Sequence, residues 1–262
     1  METKPPLIHH TAAEGYQARA ETYVSGRPDY PPEVAAWLRE ELGVAPGKRV
    51  LDLGAGTGKF TPRLVATGAA VVAVEPVAAM REQLARLNPT VQALVGSAEA
   101  IPLPDASVDA VVCAQSFHWF ANARALEEIH RVLKPGGVLG LIWNVRDETV
   151  PWVAALSRIL TPHEGDAPRY VSQKWRQLFP APGFTPLRER HFPNAHSGAP
   201  ERVIVDRALS VSFIAALPAP EQAHVAAQVR ELIAGTPELA GKETVISPYD
   251  TAAFSCTKLG SD

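Results

Sequence analysis

The sequence predicts an α/β protein built on a mostly parallel sheet with helices on both faces. Three observations lead there. Short, nearly continuous apolar runs recur at Arg49–Leu53, Ala70–Val74, Val91–Val95, Val108–Ala114 and Val138–Val145. Between them lie segments with apolar residues at helical spacing, and a strand apolar along its whole length is one covered on both faces. Right-handed crossovers then make the sheet doubly wound. Finally, 262 residues, 46 % hydrophobic and 20 % charged, form an extensive core without disulfide or metal.

The elements follow in order. Tyr23-Val-Ser-Gly-Arg27-Pro-Asp-Tyr30-Pro-Pro32 breaks any helix passing through it. A helix opens near Pro32, carries Val34, Trp37, Leu38 and Leu42 at helical spacing, and ends at Gly43. Arg49–Leu53 runs into Gly54-Ala-Gly56-Thr-Gly58, and a helix continues to about Thr67. Ala70–Val74 stops at Glu75-Pro76, where Pro76 opens a helix bearing Val77, Met80, Leu84 and Leu87. Leu126, Ile129, His130 and Leu133 mark the helix before the fifth strand, closed by Lys134-Pro-Gly-Gly137.

Beyond residue 146 the alternation stops. Helices are expected at Trp152–Leu160, Pro200–Leu209 and Glu221–Ile233, and strands at Phe184–Phe192 and Ala252–Leu259. The natural division is one domain, with an N-terminal helical lid at 1–43, a core at 44–145, and a cap with closing strands at 146–262. Of the 24 prolines, five precede the core, seven lie in it and twelve follow it. Proline-broken segments suit an irregular cover better than a second sheet.

Composition removes several classes. Lys plus Arg number 25 against 28 Asp plus Glu, a net charge of −3, and the longest basic run is the broken Arg188–His191 stretch. That argues against a nucleic-acid partner. No run approaches the roughly 18 apolar residues of a bilayer span, so no membrane partner is expected. The opening METKPPLIHH lacks the apolar centre of a secretion signal, and Cys113 and Cys256 read as two buried thiols. Together these predict a reducing cytoplasm. His191 and His196 lack further ligands at metal spacing, so no metal is expected.

The loop Asp52-Leu-Gly54-Ala-Gly56-Thr-Gly58 lies at the carboxyl end of the first strand, where open α/β sheets bind ligands. Its glycines let a ligand approach the main chain. A dinucleotide fingerprint Gly-x-Gly-x-x-Gly fails, because its third glycine falls on Lys59 or Thr61, and no phosphate-binding P-loop is present. Glu75 ends the second strand 17 residues past Gly58. A carboxylate there suits a ribose diol; it also suits a helix N-terminus.

These residues carry a resemblance. Asp52-x-Gly54-x-Gly56-x-Gly58, Glu75, Gly96-Ser-Ala-Glu99-Ala-Ile-Pro-Leu-Pro-Asp105 and Leu133-Lys-Pro-Gly-Gly137, in this order, resemble class I S-adenosylmethionine-dependent methyltransferases. The nearest likeness is to the broad group of ubiquinone/menaquinone and trans-aconitate methyltransferases. Tyr23…Arg27-Pro-x-Tyr30-Pro and Gln115-Ser-Phe-His118-Trp119-Phe resemble a branch acting on small molecules.

The resemblance implies a Rossmann-like sheet of seven strands with the last antiparallel, and S-adenosylmethionine as cofactor with S-adenosylhomocysteine as product. It implies that Gly54, Ala55, Gly56 and Gly58 line the methionine and ribose, that Asp52 holds the loop and the amino group, and that Glu75, beside Pro76, holds the ribose hydroxyls. The family's usual Asp after strand three is Ser97 here, leaving the Ala98 amide and Glu99 for the adenine. Gln115 passes the amino-acid end of the cofactor.

The reaction the resemblance implies is transfer of the methyl group to an O, N or C atom of a small-molecule acceptor, carboxylate-bearing or a secondary metabolite, for which Tyr23, Arg27, His118 and Trp119 are the candidate contacts. His118 also has the ordinary pKa of a general base. Phe117 and Phe120 read as core. The same fold using the cofactor for cyclisation or elimination is the alternative; a nicotinamide oxidoreductase or a non-catalytic binding module is more distant. A monomer or homodimer is expected.

Overall fold

The computed structural model describes residues 27–260; of the lid expected at 1–43, residues 1–26, and Tyr23 with them, lie outside the described residues, while its helix is present as Val34–Ala36 running into Trp37–Glu41. Seven strands form one sheet: β1 Arg49–Leu53, β2 Ala70–Val74, β3 Gln92–Leu94, β4 Val108–Ala114, β5 Leu133–Arg146, β6 Arg188–Gly198 and β7 Val245–Thr257. Their order is β3-β2-β1-β4-β5-β7-β6. The first five run parallel, and β7 is antiparallel to both β5 and β6. This is the doubly wound, mostly parallel sheet with an antiparallel last strand.

Period-two alternation divides its side chains between two cores. Val50, Ala110, Val112 and Ile142 pack with Trp37, Leu38, Phe60 and Leu64 on one face. Leu51, Leu53, Val111, Cys113 and Leu141 pack with Phe117, Ile129 and Trp175 on the other. Both cysteines are buried and unbridged. A third core joins Trp152, Val153, Leu156, Val203, Val225 and Val229 among the helices that follow the sheet.

The observed helices flanking the sheet are Thr61–Val65, Ala78–Leu87 and Ala123–Val132, the last capped by the Asn122 side chain, which accepts from Ala125 N–H. Four strands shift in extent, β3 shortening from Val91–Val95 to Gln92–Leu94. β5 begins at Leu133 instead of Val138, because Leu133 pairs with Val108 and Val138 with Ala110, so Lys134–Gly137 bulge out of a continuing strand. β6 covers Arg188–Gly198 in place of Phe184–Phe192, with Pro193 tolerated on an edge strand. β7 starts seven residues before Ala252, at Val245. Pro248 falls within it, where the β5 ladder has ended at Arg146 and Tyr249, so its missing N–H breaks no bond there.

Candidate functional site

The carboxyl ends of β1, β2, β4 and β5 open into a cavity of about 1240 Å³, its mouth included. Leu53 leads into Gly54, Ala55 and Gly56, Val74 into Glu75 and Pro76, and Ala114 into Gln115, so each strand delivers its next residues to the wall. Ser97, Ala98 and Glu99 close one side; Arg27, Tyr30, Lys59 and Trp119 contribute to the other.

The glycine loop is tied across the sheet. Gly54 N–H donates to the Val74 carbonyl at 2.9 Å and Ser116 Oγ to the Leu53 carbonyl at 2.8 Å. Gly56 N–H donates to Glu75 Oε2 at 2.8 Å, and Val77 N–H to Glu75 Oε1 at 2.9 Å. Glu75 therefore braces both the loop and the start of the next helix while facing the cavity. Burial pushes its pKa up, against those two hydrogen bonds and the charge of Arg81.

Two expected contacts lie off the cavity. Asp52 is wholly buried behind the loop, where Oδ2 accepts from Thr61 Oγ1 at 2.7 Å and Oδ1 has no partner. It is a side chain of β1 that points into the protein, so it holds the loop from behind; burial raises its pKa to about 7. Gly58 also turns inward: at φ +78°, a Cβ there would come within 2.6 Å of Asn88 Nδ2 and 2.8 Å of Leu84 Cγ. Its smallness serves packing against helix Ala78–Leu87. Gly56 is different, because at φ +58° a Cβ would meet only Met80 Sδ at 3.8 Å, on the cavity side.

Glu99 is engaged by Asn122 Nδ2 at 2.9 Å, and Gln115 takes a left-handed backbone, φ +57°, as β4 ends. Such a conformation costs a non-glycine residue roughly 1–3 kcal/mol and recurs at binding sites.

His118 lines a second cavity of about 760 Å³. The two share Arg27, Gln115, Trp119, Asn144 and Arg207, which makes them neighbours across one wall. Trp143 Nε1–H donates to His118 Nδ1 at 3.0 Å, and burial, then the cations Arg169 and Arg27, hold the His118 pKa down to about 3. Arg146, Arg169, Tyr170 and Phe213 complete much of the chamber. As expected, Phe117 is core, fully buried and edge-on to Phe120 at 5.7 Å.

Sequence reasoning missed Asn144, Lys59 and the arginines beyond the core. Asn144 Oδ1 accepts from Thr251 Oγ1 at 2.6 Å, while its Nδ2 donates to the Asp29 carbonyl at 3.2 Å. It fastens the chain entering the lid to the end of β5. A lone amide closing an apolar strand was a signal available in the sequence. Lys59 Nζ donates to the Arg27 carbonyl, and burial lowers its pKa to about 8. Arg146, Arg169 and Arg207 carried no local pattern.

Comparison with known proteins assigns the family. A methyltransferase-domain family model matches residues 51–141. An uncharacterised methyltransferase-like protein of Schizosaccharomyces pombe is 44 % identical over 237 residues, 90 % of this chain and 92 % of the relative. The chain belongs to the S-adenosylmethionine-dependent methyltransferases. An uncharacterised methyltransferase of Mycobacterium tuberculosis H37Rv is similar to this methyltransferase at 43 % identity over 235 residues, 90 % of this chain and 92 % of that one. Among solved structures, a putative type II methyltransferase from Anaeromyxobacter dehalogenans aligns with a TM-score of 0.63 at 25 % identity, covering 90 % of this chain and 99 % of that one. Among the described residues of the methyltransferase, no helix is long and apolar enough to cross a membrane.

Proposed function

We propose that the first cavity binds S-adenosylmethionine and that the second holds a small-molecule acceptor bearing a carboxylate, to which the methyl group passes. The observation that carries this reading is the pair of adjoining cavities: one built on the glycine loop and Glu75, the other lined by Arg27, Arg146, Arg169 and Arg207.

The residues present fit the cofactor. The main chain at Gly56 is open on its cavity side. Each Glu75 oxygen accepts one backbone N–H, and an ionised carboxylate has about four acceptor sites, so capacity remains for two hydroxyls of a ribose. Bound S-adenosylmethionine supplies an electrophilic methyl on a sulfonium. Glu75 orients the diol, and Ser97, Ala98 and Glu99 flank the adenine. Asp52 supports the loop through Thr61. Trp119 and Tyr30 line the cavity, and an aromatic ring whose face meets a cation attracts it by roughly 0.5–2 kcal/mol. Gln115 and Trp119, walls of both cavities, set the acceptor against the methyl, and such positioning supplies much of the acceleration of a displacement reaction.

The test has two parts. Calorimetry with S-adenosylhomocysteine should give saturable one-to-one binding, and its absence refutes the cofactor assignment. Incubation with S-adenosylmethionine and a panel of carboxylic acids, followed by mass spectrometry, should release S-adenosylhomocysteine. Release of methylthioadenosine in its place identifies cyclisation or elimination chemistry and refutes methyl transfer.

A further inference from the structure

The second cavity is lined by side chains that donate. Trp143 Nε1–H lies 3.0 Å from His118 Nδ1. An indole nitrogen donates and never accepts, so Nδ1 carries a lone pair and, in the neutral ring, the proton sits on Nε2. Burial and the nearby cations keep the ring neutral at working pH. A neutral imidazole whose acceptor nitrogen is already bonded offers its surroundings an N–H and no free lone pair. A general base needs that lone pair.

Arg146 adds a second donor. Its Nη1 is hidden from solvent and has no hydrogen-bond partner, an arrangement that costs free energy until an acceptor arrives. Burial, with the cations Arg207 and Arg169 nearby, pulls its pKa down to about 10, which leaves it charged. The charged and titratable groups facing His118 across the chamber are four arginines, Glu148 and Tyr170. Glu148, the one carboxylate in the described lining, already accepts from Ser157 Oγ at 2.6 Å. Arg169 is held by Glu164 at 2.6 Å and lies over the Phe213 ring at 5.1 Å. Cations crowded around a chamber repel one another, and an anion placed among them relieves that repulsion.

We propose that His118 is a hydrogen-bond donor and not a base, and that its Nε2–H and the Arg146 guanidinium together bind a carboxylate of the acceptor. This rests on the second cavity being the acceptor chamber, and it makes the pair the determinant of specificity for an anion. An acceptor bound in this way arrives already ionised, so His118 has no proton to remove.

The tautomer is read directly by nitrogen NMR of the histidine-labelled protein between pH 5 and 8. His118 should stay protonated on Nε2 throughout, and Trp143→Phe should release it to mixed tautomers. A proton on Nδ1, or a titration inside that range, overturns the donor role without any variant having to fold. Binding is read by calorimetry with benzoate, whose flat ring suits the walls of Trp143, Tyr170 and Phe213, against neutral benzamide. Benzoate should bind at least tenfold tighter. Arg146→Gln and His118→Leu should each lose at least fivefold, while His118→Gln, which keeps an N–H near Nε2, stays within threefold. Equal binding of the two probes, no benzoate binding, or full benzoate affinity in His118→Leu overturns the proposal. Parallel titration with S-adenosylhomocysteine separates the readings, because its failure with benzoate discrimination intact refutes the cofactor assignment alone.

Discussion

Glu75→Ala removes the carboxylate that accepts from both Gly56 and Val77 at 2.8 and 2.9 Å and faces the proposed cofactor cavity. A hydrogen bond to a charged acceptor contributes about 1.5–3 kcal/mol net. The variant would lose a pair of them to the diol, but water entering the vacated space replaces part of the loss. A net deficit of about 1.5–3 kcal/mol, roughly 10- to 150-fold in Kd, is therefore expected. The two backbone N–H groups are left unpaired as well, which lowers the thermal midpoint of the ligand-free protein. Calorimetry with S-adenosylhomocysteine reads the affinity, and a thermal melt without ligand separates binding from folding. Glu75→Gln should fall between, since its amide accepts at one oxygen but sets an N–H against a backbone N–H at the other position. If Glu75→Ala binds S-adenosylhomocysteine within about threefold of the parent, the diol does not sit on Glu75 and the assignment of this cavity fails.

The glycines give opposite expectations. Gly58→Ala forces a Cβ to within 2.6 Å of Asn88 Nδ2 and should lower denaturant stability by about 1–3 kcal/mol, with a smaller effect on affinity. Gly56→Ala keeps its space and carries chiefly the positive-φ cost of about 1 kcal/mol, so affinity for S-adenosylhomocysteine should fall more than stability; equal profiles for the two variants would contradict this division. Asp52, raised from 3.8 to about 7 by burial, binds a proton in the folded state that the unfolded chain has released, so the stability it contributes at low pH is lost as pH rises through about 7. Urea unfolding of the ligand-free protein should show a loss of about 2–3 kcal/mol between pH 5 and 8 relative to Asp52→Asn, at 1.36 kcal/mol per unit; parallel pH curves would place the carboxylate in a wetter setting. Asn144→Ala removes one of the two side-chain donors to the Asp29 carbonyl, leaving Asn194 Nδ2 at 2.8 Å, and leaves Thr251 without its acceptor. Limited proteolysis should then cut near residue 30 faster, and an unchanged cleavage rate would mean that other contacts hold the segment.

Much of the sheet was legible because its information is local. Five apolar runs, the glycine loop after Leu53 and the acid after Val74 are each readable within about ten residues, and parallel strands buried on both faces allow few alternatives. The misjudged limits lie where local chemistry and tertiary pairing disagree. Pro248 and Pro193 look like breaks, yet both lie in paired strands, one beyond the end of the β5 ladder and the other on the sheet edge. The glycine loop and Glu75 were read from the rule that ligands bind at strand ends, and Ser97, Ala98, Glu99 and Gln115 from the family resemblance; the fold lines one cavity with all of them except Gly58.

The sequence by itself determined the doubly wound sheet, the loop at the end of β1 and the position of Glu75, because backbone turns and strand termini are written in neighbouring residues. Tertiary structure alone decided which way those residues face. It turned Asp52 and Gly58 inward, because a strand side chain and a loop glycine follow the packing of Thr61, Leu84 and Asn88. It also brought Arg146, Arg169 and Arg207 beside His118 and set the indole of Trp143 on one imidazole nitrogen. Those groups are dispersed over some ninety residues of chain, and only the folding of the cap against the sheet converts them into one chamber.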